Sequence, residues 1–137
     1  MQRRSGFQPA SGAAGSAGWV PGPGRIAIER LEGVGVVSLI GEHDLATASE
    51  LSATLTALVR EQAQLVIDLS QTQFLDSSVL HAIVRAASAA DEQQGRLVLQ
   101  LGTTSTVERV LELSGLLEML PRGHDRRQAI QLAQSRS

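Results

Sequence analysis

Asp76-Ser77-Ser78 is the step in this chain best placed to do chemistry. Upstream lie an apolar run closing in Asp68 and a short polar loop, Ser70 to Asp76; downstream lies an Ala-rich segment. The apolar run reads as a buried strand and the Ala-rich segment as a helix, which puts two hydroxyls at a helix N-terminus. Unpaired backbone N–H groups and the helix dipole favour negative charge there. Ser77 can cap the helix, a contribution of about 1 kcal/mol. It can also carry a phosphate that the helix end stabilises. Ser78 is the alternative acceptor, although its hydroxyl could instead bond locally to backbone. Asp76 could brace the loop by accepting N–H bonds.

Other chemistries find less support. His43, His81 and His124 are scattered, no pair has metal-ligand spacing, and the chain has no cysteine. A Ser–His–Asp hydrolase built on Ser77, one histidine and Asp44 would lack the Gly-x-Ser-x-Gly elbow. No Gly-x-x-x-x-Gly-Lys-Ser/Thr loop is present to cradle a nucleotide. Asp68 at a strand end invites comparison with phospho-aspartate receivers, but those need a lysine, and all 12 basic residues here are arginine. Arg126-Arg127 reads as a solvated helix face. No catalytic residue, cofactor or metal is therefore expected. A net charge of −2 makes no electrostatic case for nucleic acid. No window has the apolar length of a membrane span, so no membrane insertion is expected. The N-terminal stretch, with Arg3 and Arg4 but no apolar core after them, does not read as a secretory signal. The lack of cysteine is compatible with a reducing cytoplasm.

The elements that must hold Ser77 follow from periodicity. Residues 1–24 are dominated by Gly, Ala, Ser and Pro and are expected to be a flexible tail, with Phe7, Trp19 and Val20 its only sizeable apolar groups. Ile26 and Ile28 alternate with polar residues, Glu32-Gly33 looks like a tight turn, and Val34 to Ile40 reads as a second strand, giving a hairpin. Asp44 can cap a helix from about Leu45 to Arg60, where Leu45, Ala48, Leu51, Leu55 and Leu58 recur at helical spacing. Leu65 to Asp68 reads as a central strand, and about Ser78 to Glu92 as a helix. Leu97 to Leu101 is a further strand, and a helix opening at Thr103 or Thr104 stops at Gly115. Leu116 to Leu120 fits either a short strand or an extended turn. Asp125 could cap a last helix containing Ala129, Ile130 and Leu132. With aromatics at 2%, the core must be aliphatic.

A hairpin followed by alternating strands and helices implies a small α/β domain with a mixed sheet, folded over residues 25–133, with 134–137 as a C-terminal tail. Loops leaving the carboxyl ends of such strands gather on one edge. The Gly41–Asp44 and Ser70–Asp76 loops would both lie there, making Asp44 and Ser77 neighbours.

These loops carry a resemblance. Gly41-Glu42-His43-Asp44-Leu45-Ala46-Thr47, then Asp68-Leu69-Ser70, then Phe74-Leu75-Asp76-Ser77-Ser78-Val79-Leu80 resembles a STAS domain, closest to the bacterial anti-sigma factor antagonists. Val107 to Leu116 is similar to that family's third helix and its Gly-Leu exit. The resemblance implies a small STAS fold: an N-terminal hairpin, then parallel strands, with helices mainly on one face. It implies a non-enzymatic, cytoplasmic partner switch that binds an anti-sigma factor serine kinase and lets go when that kinase phosphorylates it. A serine phosphatase would reset it, and transcription would be the output. Carried over, Ser77 is the acceptor, Ser78 the alternative, and Asp44, Asp76, Ser77, Ser78 and His81 face the partner. Two positions depart from the pattern: Val79 stands where Gly is usual, and His81 where small or apolar residues are common. The resemblance also admits a non-switched STAS subunit of a membrane-associated lipid-transport complex.

Overall fold

A computed structural model describes residues 24–102 and 105–135. The expected N-terminal tail and the Thr103/Thr104 helix start lie outside these residues, apart from Gly24. The order is β1 (Arg25–Leu31), β2 (Val34–His43), α1 (Leu45–Glu61), β3 (Gln64–Asp68), β4 (Thr72–Leu75), α2 (Ser77–Glu92), β5 (Arg96–Gln100), α3 (Ser105–Ser114), α4 (Leu116–Met119), β6 (Arg122–Gly123) and α5 (Arg126–Gln134).

The hairpin turns at Glu32 and Gly33, both with positive φ (53° and 80°), the conformation that a two-residue turn between twisted strands demands. β1 pairs antiparallel with β2, and the remaining pairs are parallel, in the order β1-β2-β3-β5-β6. The fold is the expected mixed-sheet α/β domain. Two strands had no sequence signature of their own. The Ser70–Asp76 segment is not all loop: β4 lies within it and pairs with the far end of β2, Glu42 opposite Phe74 and His43 opposite Leu75. β6 is only two residues long. The ambiguous Leu116–Leu120 segment is the short helix α4. α5 runs through Gln134, one residue into the segment expected as a C-terminal tail.

β2 reaches ten residues because it serves two neighbours in turn, β3 at Gly35–Ser38 and β4 at Gly41–His43. The register shifts between Gly41 and Glu42, and Gly41 takes φ 90°, which glycine adopts without a Cβ clash. That irregularity carries the strand past the end of β3 and out to the edge where Asp44 and Asp76 sit.

Strand alternation sorts the core. Val37, Leu39, Leu65, Ile67, Leu97 and Leu99 face α1, α2, α3 and α4 and are buried with Leu51, Leu55, Ile83 and Leu111. At roughly 1.5–3 kcal/mol per buried side chain, this aliphatic cluster supplies most of the drive to fold. The opposite face is smaller: Val34, Val36, Val66 and Val98 pack against Ala129, Ile130 and Ala133 of α5. Helices thus lie mainly on one face, with α5 alone covering the other among the described residues. Polar contacts tether α5 at its C-terminal end. The Gln134 amide donates to the Glu32 carbonyl at 2.9 Å, and Arg96 donates to the Ser135 hydroxyl at 2.9 Å.

Candidate functional site

The C-terminal ends of β2 and β4 deliver two helix starts to one place. The Asp76 amide donates to the His43 carbonyl at 3.2 Å, fixing the entry to α2 beside the entry to α1. Asp44 caps α1: its Oδ1 accepts from the Ala46 amide at 2.9 Å. Asp76 caps α2: its Oδ1 accepts from the amides of Ser78 at 3.0 Å and Val79 at 3.3 Å, and from the Ser78 hydroxyl at 2.5 Å.

The cap of α2 is therefore Asp76, and Ser77 does not cap it. Ser78 bonds to the Asp76 carboxylate rather than to backbone. Ser77 is the first helical residue, exposed, with a hydroxyl that has no hydrogen-bond partner among the described residues. The Ser78 hydroxyl, aided by the amides of Val79, Ser78 and Leu45, holds the Asp76 carboxyl below the usual carboxylate range despite some burial. Leu45 opens α1 and Ser78 and Val79 open α2, so two helix N-termini favour one carboxylate.

His81 lies exposed one turn further along α2. Val79, which stands where the family usually has Gly, is fully buried and adds its branches to the core beneath the helix. Asp44 is exposed, the next residue Leu45 is 74% exposed, and Phe74, opposite Glu42 on β4, is 46% exposed, large apolar side chains left facing solvent. Periodicity placed Leu45 on the buried stripe of α1, but as its first residue it clears the sheet. Phe74 reaches the surface on β4, where the pairing with β2 shifts register between Thr72 and Phe74 and leaves Gln73 and Phe74 both exposed, on a strand the sequence did not disclose.

His43 is fully buried. Its Nε2 lies 3.1 Å from the Arg25 carbonyl and 3.2 Å from the Ile40 carbonyl, so Nε2 carries the hydrogen, and Nδ1 lies 3.0 Å from the Thr47 hydroxyl. Burial lowers its pKa, although the Ile40 and Arg25 carbonyls oppose the shift. With both ring nitrogens engaged in this way, His43 is not available to activate Ser77. Gly24 packs so tightly here that a Cβ would come within 2.4 Å of the Glu42 carbonyl and 2.7 Å of the His43 ring.

Asp68 belongs elsewhere. Strand register aligns Ser38, Asp68 and Gln100 in one row on the α5 face, beyond the valines. Arg126 closes the row, donating to Asp68 at 2.7 Å, Gln100 at 2.9 Å and Glu29 at 2.8 Å. The expectation of a solvated Arg126 is corrected: a buried carboxylate needs a cation, and the first turn of α5 supplies it. Burial works against the Asp68 charge, but the Ser70 hydroxyl and amide and the Arg126 guanidinium outweigh it and lower its pKa. Among the described residues no group of three or more His, Asp or Glu is placed to hold a metal, and no helix is long and apolar enough to cross a membrane.

The STAS domain profile matches residues 25–129. The chain belongs to the STAS domain family, among the anti-sigma factor antagonists. The anti-sigma F factor antagonist of Paenibacillus polymyxa is 30% identical over 99 residues, 71% of this chain and 84% of that protein. The crystal structure of an anti-sigma factor antagonist from Mycobacterium paratuberculosis superposes with TM-score 0.70 at 28% identity, covering 82% of this chain and 96% of that one. The Bacillus cell fate determinant SpoIIAA, solved in its phosphorylated form, shares the fold at TM-score 0.60 and 17% identity, covering 79% of this chain and 98% of that one.

Proposed function

We propose that this STAS domain is an anti-sigma factor antagonist whose docking to an anti-sigma factor serine kinase is switched off by phosphate at Ser77. One observation carries the reading. Ser77 offers an exposed, unbonded hydroxyl on the edge where Asp44 and Asp76 meet, whereas the Ser78 hydroxyl is tied to the Asp76 carboxylate. The named roles of its relatives support it, as does the existence of a phosphorylated form in a protein of the same fold.

The partner rests on the face made by Asp44, Asp76, Ser77, Ser78 and His81. Phosphate adds about −1.5 to −2 charge. The Ser78 and Val79 amides already serve Asp76, so that charge adds to the acidic edge instead of being absorbed by the helix end. The domain keeps its fold and the interface fails, through repulsion and desolvation. A serine phosphatase restores docking. The chain acts in the cytoplasm, as a binding module and not as an enzyme.

Incubation with a cognate anti-sigma kinase and ATP, followed by mass spectrometric mapping, should place phosphate on Ser77. Ser77→Ala should keep binding and resist release, and Ser77→Asp should bind worse. A wild-type chain that binds the kinase yet takes no phosphate sinks the switch. Co-purification with a permease and an ATPase would favour the transport-subunit reading instead.

A further inference from the structure

Building on the reading of Ser77 as the acceptor, we propose that His81 is the built-in counter-ion of the Ser77 phosphate. Ser77 and His81 lie four residues apart on α2 and both are exposed. Side chains at this spacing are neighbours, with Cβ atoms about 5–6 Å apart. Helical side chains lean toward the N-terminus, so a side chain at position 81 is directed over the turn that carries Ser77.

A phosphate at Ser77 has few other donors to turn to. The Ser78 and Val79 amides and the Ser78 hydroxyl, which would otherwise hold an anion at this helix end, all bond to Asp76. The charged and titratable groups on the surrounding elements are Glu42 and His43 of β2, Asp44 and Glu50 at the start of α1, Asp76 at the cap, Arg85 on α2, and Glu108 and Arg109 on α3, which packs against β4. The carboxylates repel a phosphate. The His43 ring is buried against Thr47, Arg25 and Ile40. Arg85 is eight residues from Ser77, about 12 Å along the axis. Along α2 itself, His81 is the cation-capable side chain one turn from the phosphate.

An imidazolium beside the phosphate offsets part of its charge and favours its second ionisation, so the pair shows the partner less charge than the phosphate alone.

The test needs no kinase, so its outcome is separate from that of the partner reading. Phosphoserine is genetically encoded at position 77 of the full chain, and its second ionisation is followed by phosphorus NMR in the wild type and in His81→Gln. The wild-type ionisation should fall lower in pH by at least about half a unit, roughly threefold in the ionisation constant. The His81 ring resonance should also move on phosphorylation while that of His124 stays put. Superimposable titration curves for wild type and His81→Gln overturn the proposal. His81→Ala serves in its place if the glutamine variant fails to fold.

Discussion

The amide of Asp76 donates to the carbonyl of His43 at 3.2 Å, so the residue that caps α2 is suspended from the one that precedes the cap of α1. One backbone hydrogen bond thereby joins two loops more than thirty positions apart in sequence and makes them one surface. The Asp76 side chain completes the join, its charge favoured by amides from the starts of both helices.

Asp76→Ala should therefore cost more than an ordinary cap. Loss of the α2 cap alone is worth about 1 kcal/mol, and the freed start of α1 should bring the total nearer 2 kcal/mol. Asp76→Asn, which keeps an acceptor oxygen, should lose about half as much. Urea unfolding of the three proteins checks the order.

The two serines should separate cleanly. Ser77→Ala removes a hydroxyl without an intramolecular partner and should leave stability within about 0.5 kcal/mol of the parent. Ser78→Ala breaks the hydroxyl–carboxylate bond and should cost about 1 kcal/mol, yet still accept phosphate at Ser77. Thermal unfolding and phosphate mapping of both variants decide this.

On the far face, Arg126→Met strands Asp68, whose side chain is only 4% exposed. A fully buried pair would lose about 3–5 kcal/mol. Arg126 is one-third open to water and Ser70 still bonds the carboxylate, so about 2 kcal/mol is expected. Adding Asp68→Asn should recover part of the loss, a coupling that a double-mutant cycle in urea would measure.

Stability should also respond to pH through His43. Burial holds its folded pKa below the ordinary value of 6.5, so the unfolded chain takes up the proton first. The contribution is whole above about pH 6.5, declines as pH falls below that value, and levels off once the folded pKa is passed. Denaturation midpoints at pH 7.5, 6.5 and 5.5 should fall in that order, and His43→Gln should flatten the trend. The lowered carboxyl pKa values of Asp68 and Asp76 add a second decline below about pH 4.

Leu45, next to Asp44, and Phe74, opposite Glu42, are large and exposed and should anchor the docked partner. Leu45→Ala and Phe74→Ala should each weaken binding to the anti-sigma factor about tenfold while leaving the unfolding midpoint nearly unchanged. Calorimetric titration against that partner is the check.

Much of this was legible in the chain because its signals are local. Glu32-Gly33 marks a hairpin, Asp44 and Asp125 stand where helices begin, and Gly115 where α3 stops. β4 was not legible: Thr72–Leu75 becomes a strand only because β2 overruns β3 and leaves its own edge to be paired. Choosing between Asp76 and Ser77 as the cap needed the helix frame, since both residue types cap well. Arg126 looked solvated because its partners, Glu29, Asp68 and Gln100, come together only through sheet register. An Asp on the inward side of a strand was the available hint, because a buried carboxylate demands a counter-charge.

Gly24, wedged against His43, fixes where the polypeptide enters the domain: one residue from Asp44, on the edge proposed to meet the partner. The exit lies at the opposite pole, where Gln134 and Ser135 are tied to the hairpin turn and the start of β5. A bulky fusion at the front would crowd the docking edge, whereas the same cargo at the back would hang clear of it. Fluorescent or affinity handles thus belong behind α5, and a front-mounted one that silences binding would be reporting its own footprint.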